Sequence, residues 1–127
     1  MSLDRRDLLI GAVALAASSP AKAEGEIQRY GLIGRIKSLP GRRTELSAIL
    51  SAGTATMPGC LSYVVAEDAA DSDTLWVTEV WDSKEAHAAS LKLPEVRAAI
   101  GKGRPLIAAF DGVAETRNAV GTGLPTP

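Results

Sequence analysis

The chain has 127 residues, of which 46% are hydrophobic and 23% are charged, a composition typical of one soluble globular domain. Its formal net charge is −1, and it lacks the basic stripe that nucleic-acid-binding proteins usually carry. A single cysteine, Cys60, excludes an intramolecular disulfide. Because His87 is the only histidine, we expect no tetrahedral zinc site within one chain and no bound metal.

Residues 1–23 have the order of parts found in an export signal. Arg5 and Arg6 precede a short apolar run from Leu8 to Ala17, and Ala21-Lys22-Ala23 offers a small-residue cleavage site. The paired arginines resemble a twin-arginine signal, and the apolar run is shorter than the roughly 20 residues that span a bilayer. We therefore predict export to the periplasm, with no membrane anchor after cleavage. An ordinary amphipathic N-terminal helix is the alternative.

The rest of the chain contains alternating patterns of strands and helices. Apolar and polar residues alternate in the first strand, whereas Leu46, Ile49 and Leu50 recur at helical spacing. Ser83 is placed to cap a helix and Pro94 to begin one. Strands are predicted over residues 27–37, 60–66, 74–81 and 108–116. Helices are predicted over residues 42–55, after Asp82-Ser83, and from Pro94 with a kink or break at Gly101-Lys102-Gly103.

This β-α-β-β-α-(α)-β order predicts an α+β domain with the ferredoxin-like fold over residues 24–117, followed by a flexible glycine- and proline-rich tail, 118–127. The fold places four antiparallel strands under helices on one face. A second copy of the chain is the natural cover for the other face, which predicts a homodimer. The acidic stretch from Glu67 to Asp73 lacks the order of a calcium loop and predicts a hairpin turn.

Four segments between Tyr30 and Phe110 resemble the antibiotic biosynthesis monooxygenase (ABM) family, in particular its small quinol-monooxygenase-like members. The most specific segment is the strand-to-helix junction from Glu79 to His87. The others are the first strand running into Pro40-Gly41, Met57-Pro58-Gly59-Cys60-Leu61 before the strand of Tyr63, and Pro105-Leu106-Ile107 before the last strand.

The resemblance implies a dimeric α+β barrel that oxidises a quinol or phenolic aromatic with dioxygen and uses no flavin, haem or metal. Family members often carry a histidine at the ninth position after the junction aromatic. Counted from Trp81, that position is Ser90. His87 lies three positions earlier on the same helix face, so we expect it to take a related role.

Four residues are candidates for the site. His87 is the only side chain that is a neutral-pH base by its ordinary pKa, and Tyr63 can hydrogen-bond a quinol oxygen; both are predicted to be catalytic. Trp81 can stack on an aromatic ligand, and we assign it and Ser90 to substrate binding. The structural alternatives are a half-exposed histidine without a role, a tyrosine whose hydroxyl meets water, and a core tryptophan. No acidic residue stands at a spacing from His87 that suggests a catalytic triad.

Two other functions fit the same fold. A dimer of this kind can bind a small ligand without turnover, because fold does not decide function. A haem-degrading relative typically uses an asparagine on the first strand, but the only asparagine here is Asn118. The chain also lacks the glycine-rich motifs of dinucleotide enzymes.

Overall fold

A computed structural model describes residues 29–126, so the predicted export signal and its cleavage site lie outside the described residues. Within residues 29–126, no helix is both long enough and apolar enough to cross a membrane.

The described chain forms four strands and three helices in the predicted order, with each boundary within a few residues of its predicted position. A short 3₁₀ turn, Arg104–Leu106, leads from the last helix into the last strand. The elements are β1 (Tyr30–Ser38), α1 (Arg43–Gly53), β2 (Cys60–Glu67), β3 (Thr74–Trp81), α2 (Lys84–Ser90), α3 (Pro94–Gly103) and β4 (Ile107–Arg117).

The four strands form one sheet in the order β2-β3-β1-β4, and every neighbouring pair is antiparallel. β3 therefore lies between β1 and β2, and β1 lies between β3 and β4, whereas β2 and β3 form a hairpin. This is the arrangement of the ferredoxin-like fold. The predicted α+β class and topology are confirmed.

Two apolar clusters fill the space between the sheet and the helices. One lies under α1, and the other lies under α2 and α3 next to Trp81; Tyr63 packs against both. Burial of these side chains is the main favourable contribution to folding. The buried members are Ile36, Leu46, Leu50, Leu75, Val77, Leu106, Ile107 and Phe110 in the first cluster and Tyr30, Leu32, Met57, Trp81 and Val96 in the second.

Helix α2, which carries His87, is fixed at its start by the predicted cap. The Ser83 hydroxyl accepts a hydrogen bond from the Ala86 amide at 3.0 Å, which satisfies one of the free N–H groups of the first turn. Pro94 occupies the first turn of α3, where its missing N–H costs nothing.

The predicted break at Gly101-Lys102-Gly103 is wrong, because α3 continues through these residues and ends at Gly103. The reason is a close contact between helices. Gly103 is buried, and a Cβ atom there would lie 3.3 Å from Leu46 Cδ1. A glycine therefore lets the end of α3 approach α1, and this packing outweighs the low helix propensity of glycine.

Strand β2 contains a bulge that changes which side chains face the helices. Cys60 pairs with Trp81 and Ser62 pairs with Val80, so Leu61 is an additional residue between them. Cys60, which lies opposite Trp81, packs in the Trp81 cluster.

The chain after β4 is held beside the start of β1. Arg29 is 7% exposed, and its guanidinium donates hydrogen bonds to the carbonyls of Ala119, at 2.8 Å, and Pro125. The Asn118 amide donates to the Arg29 carbonyl at 3.1 Å. The flexibility of residues 118–127 stays a prediction.

The contact between α1 and α3 generates a stability prediction. A Cβ atom on Gly53 would lie 2.2 Å from Ala99 Cβ, whereas nothing lies within 4 Å of one on Gly101. We expect Gly53→Ala to destabilise the protein by roughly 1–3 kcal/mol through overpacking. The control Gly101→Ala should stabilise it by up to about 1 kcal/mol through helix propensity. Urea denaturation measures both, and shifts of the same sign would contradict the close contact.

Candidate active site

A small cavity lies between the sheet and α2. The structure brings all four candidates, Tyr63, Trp81, His87 and Ser90, to this one cavity, although they come from β2, β3 and α2. Their roles stay predictions. The remaining lining residues are Thr54, Met57, Glu79, Leu91 and Val96.

The cavity adjoins a much larger cleft between the end of α1 and β2. The inner cavity has a volume of about 10 Å³, which is room for about one water molecule. The cleft has a volume of about 480 Å³, which is within the usual size range of small-molecule sites. Thr54, Met57 and Tyr63 line both spaces and form the boundary between them. The cleft's other lining residues are all uncharged: Ser51, Ala55, Thr56, Cys60, Leu61, Ser62 and Val65.

A carboxylate, Glu79, occupies a core-facing position of β3. It alternates with the buried residues Val77 and Trp81, whose side chains point to the same face of the strand. Glu79 is 6% exposed, and its Oε1 accepts a hydrogen bond from the Trp81 indole N–H at 2.9 Å. Burial raises the pKa of Glu79 to about 7, against the opposing effect of that hydrogen bond. This carboxyl is therefore close to half ionised at neutral pH.

His87 faces this carboxylate from α2. It is 2% exposed, and its Nε2 lies 3.7 Å from Glu79 Oε1, which is too long for a hydrogen bond. Burial lowers the pKa of His87 to about 4; the Glu115 carboxylate opposes this shift and the Lys84 ammonium adds to it. The imidazole is thus uncharged at neutral pH, and His87 and Glu79 do not form an ion pair. The alternative of a half-exposed histidine is wrong.

The imidazole is fixed by packing. Trp81 packs against it in a T-shaped arrangement with ring centroids 5.2 Å apart, and the centroid of the tilted Tyr30 ring lies 5.6 Å away. Ser90 lies one turn further along α2, and its hydroxyl donates to the His87 carbonyl at 2.6 Å. The Ser90 hydroxyl therefore donates its proton to a hydrogen bond within α2. His87 Nδ1 is buried and has no hydrogen-bond partner among residues 29–126.

Tyr63 lies directly opposite Glu79 in the pairing of β2 with β3. Its side chain is partly exposed to the cleft, but burial of the hydroxyl, with a further contribution from the Glu79 charge, raises its pKa above the ordinary value of 10. Tyr63 therefore keeps its proton and can act as a hydrogen-bond donor. Burial also raises the pKa of the neighbouring Cys60 thiol, which disfavours the reactive thiolate.

Glu79 was not among the sequence candidates, although the structure places its Oε1 3.7 Å from His87 Nε2. The two residues belong to different elements, so spacing along the chain does not reveal their contact. One signal was present: Glu79 is the only charged residue in the core-facing register of a strand whose other members there are Leu75, Val77 and Trp81. Among residues 29–126, no cluster of three or more histidine, cysteine or acidic side chains could hold a metal ion.

The burial of Glu79 predicts a pH-dependent stability. Because its pKa rises from 4.5 to about 7 on folding, its ionisation opposes folding. This cost is absent below pH 4.5, grows between pH 4.5 and about 7, and stays at roughly 3 kcal/mol above that pH. Glu79→Gln keeps an oxygen for Trp81 and cannot ionise, so it should raise Tm relative to wild type more at pH 8 than at pH 5.

Thermal unfolding across this pH range measures the effect. The control is Glu85→Gln, which alters an exposed glutamate on the same α2 helix. A difference in Tm between Glu79→Gln and wild type that is the same at pH 5 and pH 8 would contradict the raised pKa of Glu79.

Comparisons with known proteins agree with this architecture. The family model described as antibiotic biosynthesis monooxygenase matches residues 29–102. A crystal structure from Chloroflexus aurantiacus, assigned to the same family, is 56% identical with a TM-score of 0.75, and the match covers 77% of this chain and all of that one. No curated protein matches this chain.

More distant structures share the fold. Proteins from Caulobacter crescentus and Deinococcus radiodurans, both assigned to antibiotic biosynthesis monooxygenases, are 19% and 22% identical, with TM-scores of 0.64 and 0.60. The matches cover 75% and 76% of this chain and 94% and 99% of theirs. The family match spans the strand and helix that carry Glu79, Trp81 and His87, and the chain belongs to the antibiotic biosynthesis monooxygenase family.

Proposed function

We propose that this protein is a monooxygenase that oxidises a quinol or phenolic aromatic with dioxygen, without a bound cofactor. The observation that carries the proposal is the buried Glu79 carboxyl, which has a pKa of about 7 beside an uncharged His87, next to a cleft of small-molecule size. A base with a pKa near the working pH is what proton abstraction from a phenol requires. Family membership supports the oxidative reaction class.

The two spaces suggest how the substrate is held. The inner cavity is too small for an aromatic ring, whereas the cleft can accept one. In the proposed complex, the ring lies in the cleft and its hydroxyl reaches inward between Met57 and Tyr63. Met57 is suited to this position because its unbranched side chain adapts its shape easily. The uncharged lining of the cleft favours a neutral substrate, since a charge there would lose hydration without a partner.

The chemistry then begins with a proton transfer. Ionised Glu79 accepts the phenolic proton, and the phenolate, which is a much better electron donor than the phenol, reduces dioxygen by one electron. The resulting radicals combine to form a carbon–oxygen bond, and the peroxide takes back the proton. The O–O bond then breaks: one oxygen stays on the ring as a carbonyl, and the other leaves as water with the ring hydrogen. Quinol and dioxygen thus give a hydroxyquinone and water.

The surrounding residues support this step. Tyr63, which keeps its proton, donates a hydrogen bond to the substrate oxygen and stabilises developing negative charge. Trp81 orients the Glu79 carboxylate through its indole N–H. His87 is the next proton acceptor beyond Glu79, and Ser90 secures the turn of helix that carries it.

Oxygen consumption with a panel of hydroquinones tests the proposal. Wild type should turn over at least one member, and Glu79→Gln should lower kcat by about 100-fold or more, as expected for the loss of a general base. His87→Ala should lower it by at least about tenfold. Glu85→Gln should match wild type. Binding of a hydroquinone without turnover would instead favour a ligand-binding protein.

We also propose that two copies of the chain cover the open face of the sheet. Ile33, Thr78 and Val64 form a row across β1, β3 and β2 on the face away from the helices, and Val64 is 51% exposed. Ile33 is half-buried and Thr78 is exposed, so two apolar side chains and a threonine share this open face, and apolar side chains grouped on an open surface are typical of an interface.

Light scattering after size-exclusion chromatography checks this proposal. Wild type should have twice the mass of one chain, and Thr78→Arg should shift it towards the monomer, because a buried unpaired charge at the centre of an interface is costly. The control Thr44→Arg adds the same charge to an exposed position of α1 and should leave the dimer intact. A monomeric wild type would refute the proposal.

A further inference from the structure

Three buried polar atoms without a hydrogen-bond partner belong to neighbouring residues. Among residues 29–126, these atoms are Tyr30 Oη, His87 Nδ1 and Glu115 Oε1. Each one left unsatisfied costs roughly 1–3 kcal/mol. The Tyr30 and His87 rings are 5.6 Å apart. Burial and, second, a side-chain contact with the Glu115 carboxylate raise the pKa of the Tyr30 hydroxyl, so Tyr30 Oη lies beside Glu115 although the two do not form a hydrogen bond of good geometry. β1, α2 and β4 thus bring donors and acceptors to one place.

We propose that Tyr30, His87 and Glu115 bind one internal water molecule, and that this water and Glu115 connect His87 to solvent as a proton route for Glu79. An internal water typically has two to four polar partners, and these residues offer three. The inference rests on the proposed function for the role of Glu79 as the proton acceptor, but the water site and the route through His87 do not depend on the substrate.

The route begins at the buried pair and ends at the surface. Glu79 Oε1 lies 3.7 Å from His87 Nε2, and Nδ1 is on the other side of the same ring. Glu115 Oε2 lies 4.0 Å from Lys84 Nζ, and these two side chains are 21% and 37% exposed. The path therefore runs from His87, which is 2% exposed, to the partly exposed ion pair of Glu115 and Lys84.

The charged and titratable groups around His87 fit this direction of transfer. Four such groups surround the His87 side chain, one each from β3, β1, β4 and α2: Glu79, Tyr30, Glu115 and Lys84. On β2, the titratable residues Cys60 and Tyr63 lie near Glu79. The Glu115 carboxylate raises the pKa of His87 against the effect of burial. It therefore lowers the cost of a transient imidazolium, which a relay through the ring requires.

The transfer moves one proton and no electrons. Glu79 gives its proton to Nε2 while Nδ1 gives one to the water, which passes a proton to Glu115 and then to solvent. The imidazole ends as the other tautomer, and the reverse sequence returns the proton. A bound ring in the cleft closes the Thr54, Met57 and Tyr63 side of the cavity, so this second path lets Glu79 exchange protons while substrate is present.

The experiment follows the ring N–H proton of His87 by ¹⁵N NMR, with no histidine tag on the protein. His87 is the only histidine, so its signals are unambiguous. We expect Glu115→Gln to slow exchange of this proton with water by at least about tenfold, the scale of a lost acid–base partner. Tyr30→Phe keeps the ring and removes one ligand of the water, and it should slow exchange in the same direction. Exchange at the wild-type rate in both variants would overturn the proposal.

Activity supplies an independent readout. In low-concentration buffer, Glu115→Gln should lower kcat and leave KM unchanged, and added imidazole should restore kcat by carrying the proton in place of the route. Glu85→Gln is the control in both measurements. A loss of kcat that imidazole does not restore indicates a structural defect and counts against the relay. If wild type has no turnover, the proposed function fails, and the exchange measurement still decides the water route.

Discussion

The hydrogen bond from the Trp81 indole N–H to the Glu79 carboxylate is the interaction on which the candidate site depends. A carboxylate in an apolar core is costly unless donors stabilise its charge, and here one donor faces it. This hydrogen bond holds the Glu79 side chain in place. Its lowering effect on the pKa of Glu79 is smaller than the raising effect of burial. The result is an acid whose proton is easily gained or lost at neutral pH, beside a histidine that burial keeps uncharged.

The scaffold positions this pair by simple means. Strand alternation places Glu79 and Trp81 on the same face of β3, and the Ser83 cap starts α2 immediately beyond them. The helix then turns His87 inward over the sheet. The bulge in β2 moves Leu61 out of the pairing while Tyr63 stays opposite Glu79. A reactive carboxyl is therefore enclosed by core residues on one side and reached through a neutral cleft on the other.

Sequence patterns were sufficient for the fold but only in part for the site. Alternation, capping and proline position predicted the elements, because these signals are local. The break at Gly101 was mispredicted because the contact of Gly103 with Leu46 is a tertiary effect. The bulge at Leu61 left no local signal. His87, Ser90, Tyr63 and Trp81 were found through residue chemistry and family resemblance, whereas the acidic partner of His87 depends on how α2 folds over β3. A charged residue in an apolar register was the available clue to Glu79.

The hydrogen bonds of Arg29 also have a consequence for the connectivity of the fold. They hold the carbonyls of Ala119 and Pro125 against the start of β1, while the Asn118 amide binds the carbonyl of Arg29 itself. Residues near the two ends of the described range, 29–126, therefore meet at one place, and closeness of this kind is the condition that allows circular permutation. In a circular permutant, a short linker would join these two ends. The new ends would lie at the exposed tip of the β2–β3 hairpin, around Ala69 and Ala70. The pairing of Glu79 with His87 depends on how β3 and α2 pack together and not on where the polypeptide begins.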